Sequence, residues 1–232
     1  MTQDAVFVVR QFLYDCYVAL PEASSESISR TLTIDPPLDV EEAEDFLHGL
    51  QSGLFSIDPD GYVQSDVLPP GPANKNRQEI VQLFWRRKNR RFLFREGVCQ
   101  LAAVSALVLM YGWPASHVRL EPNTGDVGDI AFGVDIIVRD PMHDSVRICG
   151  EAKRNRAELG KLLDELRACL RDGPHSKSDC KRKNHPKAEA LWELRPDYFW
   201  AVCPGKRLAF RVQHAGEIIR LDEIPSLPKG PC

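Results

Sequence analysis

The apolar positions of this chain change period several times. Val6, Val9, Phe12, Leu13 and Tyr17 recur at helical spacing and predict a helix over 3–19, stopped by Pro21 and the serines after it. A short helix is expected over Ser27 to Leu32. Asp39 reads as the N-cap of a further helix to about Ser52, with Val40, Ala43, Phe46, Leu47 and Leu50 inward and Gly53 as its stop. Leu54 to Ile57, the turn Asp58-Pro59-Asp60-Gly61 and Tyr62 to Gln64 predict a small hairpin. Helical spacing returns from about Gln78, with Ile80, Val81, Phe84 and Trp85 inward. A mostly apolar helix is expected from about Phe92 to Tyr111.

Beyond it the period shortens to two. Val118 to Leu120 predicts a short strand. Ile130 to Arg139 and Val146 to Lys153 predict a hairpin, their apolar runs separated by Pro, His, Asp and Ser. Leu159, Leu162, Leu163, Leu166 and Leu170 place a helix over about Ala157 to Arg171, positioned as a strand-to-helix crossover. A short helix from Ala188 to Leu194 precedes two strands, Tyr198 to Cys203 and Leu208 to Val212. The tail from Pro225 is expected to be loosely held. Pro69-Pro70-Gly71-Pro72 reads as a linker, which divides the chain into 1–70 and 71–232. The fold class expected is α/β: a mixed central sheet flanked by helices, behind a small, mainly helical N-terminal domain.

The 232 residues, 43% of them hydrophobic, suffice for a sizeable core. No apolar run reaches the roughly 18 residues of a membrane span, and no basic-then-apolar leader opens the sequence. Seven cysteines without a Cys-x-x-Cys pair fit a reduced, cytoplasmic compartment. His175, Cys180 and His185 can be drawn as zinc ligands, but their spacing matches no common site. Gly205-Lys206 lacks the frame of a phosphate-binding loop.

Charge divides the chain more sharply than its net value of −3 shows. Residues 1–73 hold 13 acidic and 2 basic side chains, whereas residues 74–232 hold 20 acidic and 28 basic ones. The basic part suits a polyanion and the acidic part a protein partner or self-association. Arg86, Arg87, Lys88, Arg90 and Arg91 form one strip for phosphate contacts, and Arg154 and Arg156 a second. The polar loop Gly173 to Lys187, with Lys177, Lys181, Arg182, Lys183 and Lys187, is a candidate backbone clamp or a plain surface loop.

The candidate chemistry lies in the hairpin. Asp135 interrupts an apolar strand opposite the face of Val134, Ile136 and Val138, and burying an unpaired carboxylate there is costly. On the next strand Glu151 and Lys153 share a face, roughly 7 Å apart. Register decides whether the three meet. If Arg139 pairs with Val146, Asp135 faces Gly150 and the site fails. If Arg139 pairs with Arg147, Asp135 faces Glu151 and the groups converge. Two carboxylates on a divalent cation beside a lysine can activate water.

An Asp on one strand followed by Glu-x-Lys on the next resembles the active site of the PD-(D/E)XK, or restriction-endonuclease-like, nuclease superfamily, with Val134 standing where the eponymous proline would be. The resemblance implies Asp135 and Glu151 as ligands of Mg²⁺ or Mn²⁺, Lys153 as the residue that orients or activates the attacking water, and Glu96 as a further acidic contribution from the preceding helix. Glu96 also fits a first-turn glutamate complementing the helix dipole. Asp126 and Asp129 either approach the metal or shape their turn. The copy at Asp179-Cys180-Lys181 has no preceding strand and reads as coincidence.

Carried through, the resemblance implies a metal-dependent endonuclease acting on DNA, in restriction, repair or defence in a bacterial or phage-related setting. The three helices and hairpin at the N-terminus resemble a winged-helix domain. There the third helix, with Asp39, Glu41, Glu42, Glu44 and Asp45, would repel phosphate and suit a protein partner better. The alternatives are a non-catalytic nucleic-acid-binding module with a degenerate nuclease fold, and an adaptor that meets no nucleic acid.

Overall fold

In the computed structural model, residues 2–20, 32–68, 82–87, 90–122, 133–143, 145–175, 180 and 182–231 are described below. The chain is mixed α/β: five α-helices among the described residues and a six-stranded mixed sheet. The expected helix over Ser27 to Leu32 falls almost wholly outside the described residues, as do the Pro69–Pro72 linker, Lys88, Asp126, Asp129, Lys177 and Lys181.

Helix α1 (Thr2–Ala19) buries Val9, Leu13 and Tyr17, the stripe its spacing predicts. Helix α2 (Val40–Gln51) starts at Asp39 through a capping box in which Asp39 and Glu42 each satisfy the other's backbone N–H. Phe46 of α2 meets Phe12 and Phe55, the latter edge-on with ring centroids 5.1 Å apart. The small hairpin follows as β1 (Ser56–Ile57) and β2 (Val63–Gln64).

The structure differs from the sequence expectation at residues 82–94. In place of a helix continuing through Phe84 and Trp85, β3 (Phe84–Arg87) and β4 (Arg90–Leu93) pair antiparallel, with Arg86 opposite Arg91 and Arg87 opposite Arg90. Adjacent buried residues such as Leu83 and Phe84 satisfy either period, so apolar spacing does not discriminate here. Helix α3 (Arg95–Ser105) therefore begins three residues later than expected and ends in one π-helical turn, Ala106–Met110.

The large sheet has the order β10-β9-β8-β7-β6-β5. Strands β5 (Val118–Leu120), β6 (Ile136–Arg139) and β7 (Val146–Ala152) form an antiparallel meander. Helices α4 (Arg156–Asp172) and α5 (His185–Leu194) then carry the chain to β8 (Tyr198–Cys203), which is parallel to β7. Strands β9 (Lys206–Ala215) and β10 (Ile218–Ile224) extend the sheet antiparallel. The last of these was not expected: Ile219 is buried on it, and the turn at Gly216 has a positive φ of 65° that glycine adopts without strain.

Two apolar layers sandwich this sheet. On one side Ile136, Val138, Ile148 and Trp200 join the residues of α1, α2 and α3 in one continuous cluster, so the 1–70 and 71–232 segments share a core. On the other, Ile137, Cys149, Phe199 and Phe210 meet the leucines of α4 and the inner face of α5.

The acidic α2 is partly neutralised from within. Glu42 and Arg95, both buried, form a bidentate pair with two contacts of 2.5 Å, and Arg95 also donates to the carbonyls of Pro36 and Pro37. Arg207 of β9 pairs with Glu41 and Asp45. Glu41, Glu42 and Asp45 are therefore engaged in holding α2 to α3 and to the sheet.

Candidate metal centre

The carboxylates converge through a register that neither simple alternative described. Arg139 pairs with Val146, but Val138 pairs with Ile148, leaving Arg147 as the extra residue of a β-bulge. The turn-side register is the one in which the site would fail. The bulge advances it by one residue, so that Ile136 pairs with Gly150 and the ladder continues toward Asp135 and Glu151 on the same side. Burial records the flip: Val146 joins the α4/α5 layer while Ile148 joins the opposite one.

Two backbone bonds, one to each neighbouring strand segment, fix this end of β7. The N–H of Asp135 donates to the carbonyl of Gly150 at 3.1 Å, and the N–H of Lys153 donates to Val202 at 2.8 Å. The Asp135 carboxylate in turn accepts from the N–H of Ala152 at 2.8 Å. Glu96 comes from the first turn of α3, so the helix-dipole position and the site position are the same place. One carboxylate oxygen each of Glu96, Asp135 and Glu151 lies within 4.8 Å of the others. Lys153 Nζ lies 2.6 Å from Glu96 Oε1 and 2.7 Å from Glu151 Oε1. All four candidate catalytic residues are thus brought together.

Two further groups belong to the cluster that sequence reasoning did not place there. Lys187, read as part of a phosphate clamp, instead puts its ammonium 2.5 Å from Glu151 Oε1 and donates to the carbonyl of Gly133 at 3.0 Å. Gly133 permits this approach because a Cβ there would collide with the Pro186 carbonyl at the start of α5. Glu121, whose backbone N–H donates to the Asp135 carbonyl at 2.7 Å, is held by Gln100 on α3, also at 2.7 Å. Its φ of 49° is unusual for a residue with a side chain. Neither residue carries a motif, and the available signal was only that each is charged and flanks an apolar element.

The electrostatics follow from the count. Four carboxylates, Glu96, Glu121, Asp135 and Glu151, share two ammonium groups, Lys153 and Lys187. Glu151 has no exposed surface, and burial followed by the Asp135 charge pushes its carboxyl up to about 7 despite both lysines. Burial and Asp135 likewise push Glu121 up to about 8, and burial raises Glu96. For Lys153, burial acts to lower the pKa, but Glu151, Asp135 and Glu96 outweigh it and drive the value well above the ordinary one. The surrounding carboxylates therefore favour the charged form of Lys153, which suits a group that holds and polarises water.

This donor set fits a hard divalent cation. All three candidate ligands offer oxygen, the site has surplus negative charge, and Glu151 Oε2 is buried without a hydrogen-bond partner. A cleft of about 1070 Å³ opens beside it, lined among others by Glu96, Lys153, Arg154, Lys161, Lys183 and the half-exposed Phe92.

The expected phosphate-contacting residues divide. Arg154 and Lys183 line the cleft, and Lys161 joins them unforeseen. Arg156 is turned away to the carbonyl of Gly205, and Arg182 to Asp172 and two cysteine sulfurs, so both are engaged within the protein. The backbone of Arg86, Arg87, Arg90 and Arg91 lies in the β3–β4 hairpin, while Lys88 and Lys181 lie outside the described residues. Among the described residues no helix is long and apolar enough to cross a membrane. Compared with family models, curated proteins and solved structures, the chain matches none.

Proposed function

We propose that this protein is a metal-dependent nuclease that hydrolyses phosphodiester bonds in DNA, with Glu96, Asp135 and Glu151 holding Mg²⁺ or Mn²⁺ and Lys153 assisting the attacking water. The observation that carries the reading is the convergence of three carboxylates from α3, the Asp135 strand and β7 around one lysine, in a register produced by a bulge. The apolar strand, its Asp-bearing partner and the crossover helix α4 after it are the setting that the PD-(D/E)XK resemblance implies.

The bound ion would lower the pKa of a coordinated water and offset charge building on the phosphate. Glu151 and Asp135 supply the anionic oxygens, with Asp135 oriented by the Ala152 N–H. Lys153, whose charged form is favoured by Glu151, Asp135 and Glu96, positions water beside the scissile phosphate and stabilises the developing negative charge. Arg154, Lys161 and Lys183 along the cleft hold the backbone.

The test is cleavage of plasmid and single-stranded DNA with Mg²⁺ or Mn²⁺, wild type beside Lys153→Ala and Asp135→Ala, each checked for folding. Activity in wild type that is lost in both variants supports the reading. Salt-sensitive DNA binding without cleavage in any of the three would replace it with a non-catalytic binding module.

A further inference from the structure

A second donor cluster, separate from the carboxylates, lies where α4 ends and α5 begins. Cys169 in the last turns of α4, His175 just beyond that helix and Cys180 before α5 are spaced Cys-x5-His-x4-Cys along the chain. One ligand atom of each lies within 4.8 Å of the other two. Sequence spacing sets His175 and Cys180 beside His185; the structure supplies Cys169 instead, from the leucine-striped helix α4.

The sulfur separation distinguishes the chemistry. Cys169 Sγ and Cys180 Sγ are 3.5 Å apart. A disulfide needs about 2.05 Å. Two thiolates on one tetrahedral zinc, each at about 2.3 Å, stand on the order of 3.8 Å apart. Both cysteines are buried, and Arg182 Nη1 approaches both sulfurs, at 3.9 and 3.8 Å, as the outer hydrogen-bond partner of metal-bound thiolates does. The His175 ring is held through Nδ1, which donates to the Gly173 carbonyl at 2.6 Å, while the His175 backbone carbonyl accepts from His185 Nε2 at 2.9 Å. That arrangement fixes the His175 ring and leaves Nε2 for a ligand.

We infer that Cys169, His175 and Cys180 bind Zn²⁺ through two thiolates and one imidazole, with water in the fourth position from the hollow beside His175, Glu189 and Trp192. Two thiolates balance the ion's charge. The soft sulfur donors select zinc over the hard cations that suit the carboxylate cluster. The site closes the loop between α4 and α5, and so fixes the start of α5, from which Lys187 reaches Glu151 and Asn184 lines the cleft. It braces one wall of the cleft while keeping the open fourth position that a closed four-ligand site lacks, and it does not depend on the nuclease reading.

The test measures metal in the full chain, purified under reducing conditions without chelator. Plasma mass spectrometry is expected to find about one zinc per chain. That content should fall roughly tenfold in Cys169→Ser and in Cys180→Ser, and stay unchanged in Glu151→Gln. If the serine variants do not fold, wild type stripped of metal and titrated with Co²⁺ supplies the second measurement: a near-ultraviolet thiolate-to-cobalt band that saturates at one equivalent supports the site. Wild type that carries no zinc and develops no such band overturns it. So does an intact mass lower by two hydrogens with Cys169 and Cys180 crosslinked, or full zinc content in both serine variants.

Discussion

Asp135 accepts a hydrogen bond from the backbone N–H of Ala152, the residue between Glu151 and Lys153, at 2.8 Å. That bond ties the carboxylate on one strand to the Glu-x-Lys segment on the next, and it is geometrically possible only because Arg147 bulges out and restores the pairing of Ile136 with Gly150.

Asp135→Asn keeps an oxygen for the Ala152 bond but removes the charge. Cleavage should fall at least ~100-fold, since even outer partners of metal ligands are worth 10–100-fold. The thermal midpoint should not fall, because one of four crowded carboxylates is gone. Undiminished cleavage in this variant would remove Asp135 from the site.

The pH dependence of stability has a definite sign. The carboxyls of Glu151, at about 7, and Glu121, at about 8, both lie above their ordinary 4.5, so the folded state holds more protons than the unfolded state between those values. Their contribution is fully present below 4.5 and is lost as pH rises through 7 and 8. Without metal, the thermal midpoint should drop from pH 5 to pH 8.5, and Mg²⁺ should restore it most at the upper end. Glu121→Gln should flatten the upper part of the curve. A metal-free midpoint that climbs across this range contradicts the assignment.

Lys187 holds one oxygen of Glu151, the carboxylate proposed to bind the metal, so its charge and the ion's would compete for that carboxylate. Lys187→Met should therefore destabilise the metal-free protein by about 1–3 kcal/mol, the cost of leaving a buried polar group less satisfied. It should also enlarge the midpoint shift produced by Mg²⁺ relative to wild type. Calorimetric titration would reject the competition if the variant bound Mg²⁺ more weakly than wild type.

The Glu42–Arg95 pair is buried on both sides, unlike the exposed Arg154–Glu158 pair. Arg95→Met leaves a buried carboxylate without its partner and should cost about 3–5 kcal/mol in urea denaturation. Adding Glu42→Gln should recover part of that loss. Arg154→Ala should change stability by less than about 1 kcal/mol. Equal losses from Arg95→Met and Arg154→Ala would show that α2 is not anchored through Glu42.

Much of the scaffold was legible because single elements report themselves. The leucine stripe of α4, the Asp39 cap of α2 and the run Tyr198–Cys203 carry their period or their cap in consecutive residues. The β3–β4 hairpin is not legible because the adjacent buried residues Leu83 and Phe84 fit two periods, and β10 is not because its partly exposed alternation sits next to a proline-rich tail. Lys187 and Glu121 were illegible as site residues for a different reason. A lysine in a basic run and a glutamate in a loop look like solvated charges until the fold sets them against Asp135 and Glu151.

The sequence by itself determined which residue types stand in the hairpin: an acid on one strand, and Glu-x-Lys on the next with its two charges on one face, because side chains alternate along any strand. It also determined that Glu96 opens the helix before them. Only the tertiary structure decided that these groups meet. Strand register is a property of pairing and not of either strand alone, and here it turns on one extra residue, Arg147, whose bulge no periodicity announces.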